Sequence, residues 1–212
     1  MNPVAFPPMK RPLIAILRGL KPEDAEGVIG VLIESGMTAI EIPLNSPDPF
    51  RSIEIAVKTA SSEVLIGAGT VLTPQAVARL HDVGGRLMVT PNVDPEVIAS
   101  ARELGMVTMP GVFTATEALL AAKAGASGLK FFPASALGAS GISAIRAVLP
   151  ADLMIAAVGG ISDKNFVEYT RTGIYAFGLG TSLYKPGMTV AEVAARAKAT
   201  IHAYDMSVQG LN

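Results

Sequence analysis

The chain has 212 residues, half of them apolar and 17% charged, with a formal net charge of −1 and no cysteine. That is the composition of a folded globular chain with enough length for a sizeable core. The charge balance gives no electrostatic case for nucleic acid or an anionic membrane surface. The missing thiols exclude disulfides, thiolate nucleophiles and Cys-ligated metals.

Residues 1–11 open with Met1-Asn2-Pro3-Val4-Ala5-Phe6-Pro7-Pro8 and lack the unbroken apolar stretch of a signal peptide. They are expected to be a flexible lead-in to one domain that takes up 1–212. Gly, Pro or charges break every later apolar run well before about 18 residues, so no membrane span is expected and the cytoplasm is the default compartment.

From Leu13 onward, short apolar runs alternate with longer amphipathic ones. Strands are expected at Leu13–Leu17, Ala39–Ile42, Val64–Ala68, Leu87–Thr90, Val107–Met109, Gly128–Phe131, Met154–Ala157 and Ala176–Leu179. Most are apolar on both faces, as in a parallel sheet covered on both sides. Helical patterns fall between them, at Pro22–Ser35, Pro74–Val83, Pro95–Leu104, Thr116–Ala124 and Val190–Tyr204. Several begin with Pro, whose missing N–H costs nothing in a first turn. Thr73 and Asp94 stand where N-caps belong. Gly36, Gly84, Gly105, Gly125 and Gly173 each close a helix just before a strand. The strand–loop–helix–Gly unit recurs about eight times, with no hairpin signal. An α/β fold of the (β/α)₈ barrel type is therefore expected, a compact one beside the typical length of about 250 residues. An open doubly wound sheet is the rival. It would usually show a Gly-rich dinucleotide turn after the first strand, where this chain has Arg18-Gly19-Leu20-Lys21-Pro22.

In such a barrel the chemistry lies at the C-terminal ends of the strands. Lys130 is the lone charge in the apolar run Ala126-Ser127-Gly128-Leu129-Lys130-Phe131. Burial should lower its pKa, and a neutral amine can attack a ketone to form an imine. The plainer reading is a lysine that snorkels to the strand end or pairs with Glu41. Glu41 is the second intrusion, in Ala39-Ile40-Glu41-Ile42-Pro43. A carboxylate there should have a raised pKa, suited to acid–base work. Arg18 follows the first strand and could clamp a carboxylate, or be an ordinary strand-end arginine. Val158-Gly159-Gly160 and Gly178-Leu179-Gly180-Thr181 follow the seventh and eighth strands, a frequent phosphate site in barrels. His81 and His202 fall in helical patterns without a ligand arrangement, so neither a metal nor another cofactor is expected.

These segments resemble the 2-keto-3-deoxy-6-phosphogluconate/galactonate aldolase family. The matching stretches are Leu13–Gly19, Glu41-Ile42-Pro43-Leu44-Asn45-Ser46-Pro47, Gly67–Leu72, Val89-Thr90-Pro91-Asn92, Leu129-Lys130-Phe131-Phe132-Pro133, Ala157–Gly160 and Gly178–Gly180. They run in order along nearly the whole chain. The resemblance implies a class I aldolase without metal, usually a cytoplasmic homotrimer. Lys130 would be the Schiff-base lysine and Glu41 the acid–base. Arg18 and Thr70 would hold the pyruvate-derived carboxylate, with Pro91 and Phe132 lining the pocket. Gly159, Gly160, Gly180 and Thr181 would bind phosphate. The substrate would be a phosphorylated keto-deoxy sugar acid. Gluconate-type members carry Arg where this chain has Asn45 and Thr where it has Val158, so both positions look galactonate-type. Thr181 replaces the usual Ser and keeps the hydroxyl. Three alternatives stand beside this reading: the same cleavage of the gluconate epimer, a phosphate-binding barrel isomerase, and a non-catalytic sugar-phosphate binder.

Overall fold

The computed structural model describes residues 3–209. Its strands are β1 (Leu13–Ile16), β2 (Ala39–Pro43), β3 (Leu65–Gly69), β4 (Leu87–Val89), β5 (Val107–Met109), β6 (Gly111–Val112), β7 (Gly128–Phe131), β8 (Met154–Val158) and β9 (Ala176–Leu179). All pair in parallel, in the order β5-β4-β3-β2-β1-β9-β8-β7-β6. β5 and β6 are two halves of one barrel strand, interrupted at Pro110. The first half pairs with β4 and the second with β7, which closes a ring of eight. Proline has no N–H to give a ladder, but its carbonyl accepts from the Lys130 N–H at 2.9 Å. Below that point side chains replace ladder bonds. The Thr108 N–H donates to Ser127 Oγ and the Ser127 N–H to Thr108 Oγ1, both at 2.9 Å.

The helices are α1 (Pro22–Glu34), α2 (Pro49–Thr59), α3 (Pro74–Asp82), α4 (Pro95–Glu103), α5 (Ala115–Lys123), α6 (Ala134–Arg146), α7 (Phe166–Thr170) and α8 (Val190–Val208). The five helices expected from the sequence appear within a few residues of their limits. Thr73 caps α3 by accepting from the Ala76 N–H, and Asp94 caps α4 by accepting from Glu96 and Val97. The five closing glycines all have positive φ, between 69° and 98°.

Alternation along each strand divides the side chains between two cores. Outward residues such as Ile40, Ile42, Leu129 and Phe131 pack under the helices in the larger cluster. Inward residues Ile14, Ala39, Leu87, Val89, Val107, Met109, Ala156 and Ala176 fill the lower barrel. The lead-in, expected to be flexible, has a seat there: Val4, Phe6 and Met9 pack against that inner cluster from below. The apolar residues spaced through its Pro-rich stretch find the open base of the barrel, which the sequence pattern alone does not display. A hollow of about 840 Å³ lies at this end, between the lead-in and the starts of β7, β8 and β9.

Candidate active site

The same alternation positions the reactive groups. Ala39 and Glu41 point inward from β2 as Gly128 and Lys130 do from β7, so each charge stands one step above the filled lower layer. Glu41 sits in the middle of β2 rather than at its end, and Arg18 lies two residues past β1. Lys130 is 7% exposed and Glu41 2%. No ion pair within 4.0 Å joins them among the described residues, so the simple paired reading of the two is not met. Lys130 Nζ lies instead 4.8 Å from the centroid of the Phe132 ring.

Burial is the main force on both groups. It pushes the Glu41 carboxyl up to about 7, against the opposing pull of Lys130, Arg18 and the Gly69 N–H. It pulls the Lys130 ammonium down from its usual range; the Glu41 charge resists this and the Arg18 charge adds to it. One oxygen of Glu41, Oε2, is buried with no hydrogen-bond partner. The carboxyl lies directly over Gly69. A Cβ built there would stand 2.2 Å from Oε2 and 2.5 Å from Oε1. Next to it, Thr70 holds φ 57°, a left-handed conformation uncommon for a β-branched residue.

These groups open into a cavity of about 390 Å³ at the C-terminal ends of the strands, a volume suited to a small metabolite. Lys130, Glu41, Arg18 and Phe132 line one part of it. Val158, Gly159, Gly160, Gly180 and Thr181 line another. Gly159 and Gly160 have φ 92° and 80°, which brings bare backbone to the wall. The two glycine turns are tied together by Ser182 Oγ, which donates to the Ile161 carbonyl at 2.9 Å. Three other residues expected at the site do not line the cavity. Thr70 follows Gly69 just past β3, and Pro91 is exposed beyond β4, its carbonyl carbon 2.5 Å from where a Gly111 Cβ would stand. Asn45 is turned toward Arg18, whose Nη1 donates to Asn45 Oδ1.

Tyr184, Lys185 and Pro186, in the tail of the turn after β9, line the same cavity. The sequence reading gave them no site role, because a lysine in a surface loop is ordinary. Lys185 makes the cavity wall richer in cations, with Arg18 and Lys130 against the single carboxylate of Glu41. Such a wall draws an anionic ligand. Among the described residues no group of three or more His, Cys, Asp or Glu could hold a metal ion. No described helix is long and apolar enough to cross a membrane.

The chemistry this arrangement can do is amine addition to a carbonyl beside a group able to take and return a proton. Both requirements improve with rising pH, since the lysine must be neutral and the carboxyl ionised. Activity is therefore expected to fall as pH drops below about 7. Glu41→Gln removes the charge that holds the Lys130 pKa up, so in that variant the remaining acid limb should move to lower pH. Initial rates from pH 5 to 9 read both effects, and an unchanged profile in the variant would detach the limb from Glu41.

The family model for KDPG and KHG aldolase matches residues 8–195. A Rhizobium meliloti protein named probable 2-dehydro-3-deoxy-6-phosphogalactonate aldolase is 72% identical over 97% of both chains. The solved native KDPGal structure is 46% identical, is covered over 98% of its length by 95% of this chain, and superposes with a TM-score of 0.93. A KDPG aldolase from Legionella pneumophila, solved with pyruvate captured at low pH as a covalent carbinolamine, is 26% identical, covers 90% and 94% of the two chains and has a TM-score of 0.80.

Proposed function

The chain belongs to the KDPG and KHG aldolase family, and from that membership we infer that it is a metal-independent lyase of carbohydrate metabolism. It cleaves 2-dehydro-3-deoxy-6-phosphogalactonate to pyruvate and D-glyceraldehyde 3-phosphate. The observation that carries the chemistry is the buried pair on apolar strands, Lys130 with its pKa lowered and Glu41 with its pKa raised to about 7. Such opposed shifts suit a nucleophile and a proton carrier at neutral pH.

In the proposed mechanism neutral Lys130 Nζ adds to the C2 ketone. The resulting carbinolamine loses water to give a protonated imine, the type of intermediate that the Legionella enzyme's captured carbinolamine precedes. Ionised Glu41 removes the C4 hydroxyl proton. The C3–C4 bond breaks, its electrons pass into the imine, and glyceraldehyde 3-phosphate departs. Glu41 then returns the proton to C3 of the enamine, and water hydrolyses the imine to free pyruvate and Lys130. Arg18, on the cavity wall, holds the carboxylate end, so that binding energy places C2 against the lysine. Phe132 covers the lysine. Gly159, Gly160, Gly180 and Thr181 take the phosphate. Val158 offers no hydrogen bond to a C4 hydroxyl, in keeping with a galactonate preference over the gluconate epimer. One domain over 1–212, a cytoplasmic location and a homotrimer go with this reading. Exposed Phe113, Leu119 and Leu120 around the start of α5 supply apolar surface for the last.

A coupled assay for pyruvate release with both 6-phosphorylated epimers tests the substrate. Faster turnover of the galactonate form is expected, together with a covalent mass increase on Lys130 after borohydride treatment with pyruvate. Equal turnover would remove the epimer preference. No pyruvate from either epimer and no adduct would overturn the aldolase reading.

A further inference from the structure

Asn45 stands off the cavity wall, although it lies on the loop that leaves β2 toward the site. Its side chain is committed elsewhere, with Oδ1 accepting from Arg18 Nη1 at 2.5 Å. The neighbouring residues repeat the link. The Gly19 N–H donates to Ser46 Oγ at 2.9 Å, and Ser46 is buried. Two consecutive residues after β2 thus grip two consecutive residues after β1. On its other side Gly19 rests against the loop after β9, since a Cβ there would lie 2.6 Å from Pro186 Cγ. The backbone that carries Arg18 is fixed from both sides. The guanidinium is held only by Asn45: Arg18 is exposed and enters none of the ion pairs among the described residues.

We propose that Asn45 is a positioning residue. Its amide oxygen aims the Arg18 guanidinium at the substrate carboxylate, and it contributes to turnover through Arg18 rather than by touching the sugar acid itself. A freely rotating arginine side chain loses several rotatable bonds' worth of entropy when it meets an anion. A neutral acceptor that fixes the fork beforehand removes part of that cost without competing for the charge, which a carboxylate at this position would do. The proposal rests on the aldolase reading and on the carboxylate role of Arg18.

Exchange of the methyl protons of pyruvate with deuterium separates the possibilities, because pyruvate carries the carboxylate and the ketone but no C4 hydroxyl and no phosphate. Measured by proton NMR, Asn45→Ala should lower kcat/KM for this exchange about tenfold, mainly through KM, as expected for loss of one charge-assisted hydrogen bond. In the Arg18→Ala background the same substitution should change nothing further, because a residue that acts only through Arg18 has nothing left to act on. An unaltered exchange in Asn45→Ala, with loss confined to cleavage of the phosphorylated acid, would overturn the proposal in favour of direct contact with the distal half of the substrate. Losses that multiply in the double variant would overturn it as well. Absence of exchange in the unaltered enzyme would overturn the aldolase reading and this inference with it.

Discussion

Lys130→Met should lose activity by on the order of 10⁵-fold, as expected when a covalent nucleophile is removed, and yet should not lower the thermal midpoint. Methionine, one atom shorter, keeps most of the length of the side chain and removes a charge that burial disfavours. With the ammonium gone, Glu41 loses its main opposing influence and its pKa should rise further, leaving a neutral carboxyl rather than a stranded anion. A lysine whose task was structural would behave in the opposite way, with stability falling and residual turnover surviving. Pyruvate release and calorimetry on the same preparation check the two halves. Measurable turnover near the normal rate would remove Lys130 from the mechanism.

The second large effect is expected at a residue with no functional group. Gly69→Ala places a methyl group where both Glu41 carboxyl oxygens now stand, at 2.2 and 2.5 Å, closer than real contacts allow. The carboxyl has to leave its position over the backbone, and with it goes the Gly69 N–H that favours its ionised form. Cleavage should slow by about 10²–10³-fold, the usual worth of a placed general base. The imine should still form, since Lys130 faces Glu41 from the other side of the barrel. Borohydride trapping with pyruvate should therefore survive in Gly69→Ala while steady-state turnover collapses. Loss of both together would mean that the substitution had disturbed the barrel rather than the base.

Lys130 and Glu41 were legible in the sequence because each is a lone charge on an otherwise apolar strand, where burial makes the exception chemical. Arg18 and the glycine turns were legible from position, since strand ends alternate with helices so regularly. What escaped has physical reasons too. α2 escaped although Asp48-Pro49 repeats the Asp-Pro opening of α4; in the structure Asp48 has φ 37° and makes no side-chain cap bond. α6 is broken by Gly138 at φ 68° and is assembled from Ala, Ser and Gly as much as from apolar residues, which blurs its period. α7 has only five residues. The division of the fifth strand at Pro110 depends on which neighbour each half meets, and no local pattern records that. Asn45 is the clearest case. Its type and place drew attention, but its bond to Arg18 spans 27 residues of sequence and belongs to the closed ring alone.

The filled lower barrel makes the site a blind-ended cup. Ile14, Ala39, Leu87, Val89, Val107, Met109, Ala156 and Ala176 leave no passage below the reactive groups, and Lys130 is in register with Ala156 of that floor. Substrate and both products share a single doorway. On the proposed chemistry the pyruvate fragment is bonded at the closed end while the phosphorylated aldehyde occupies the way out, so the aldehyde departs first and pyruvate last. Run backwards, the same topography makes pyruvate the obligatory first arrival, and an aldehyde that enters early blocks the path its partner needs.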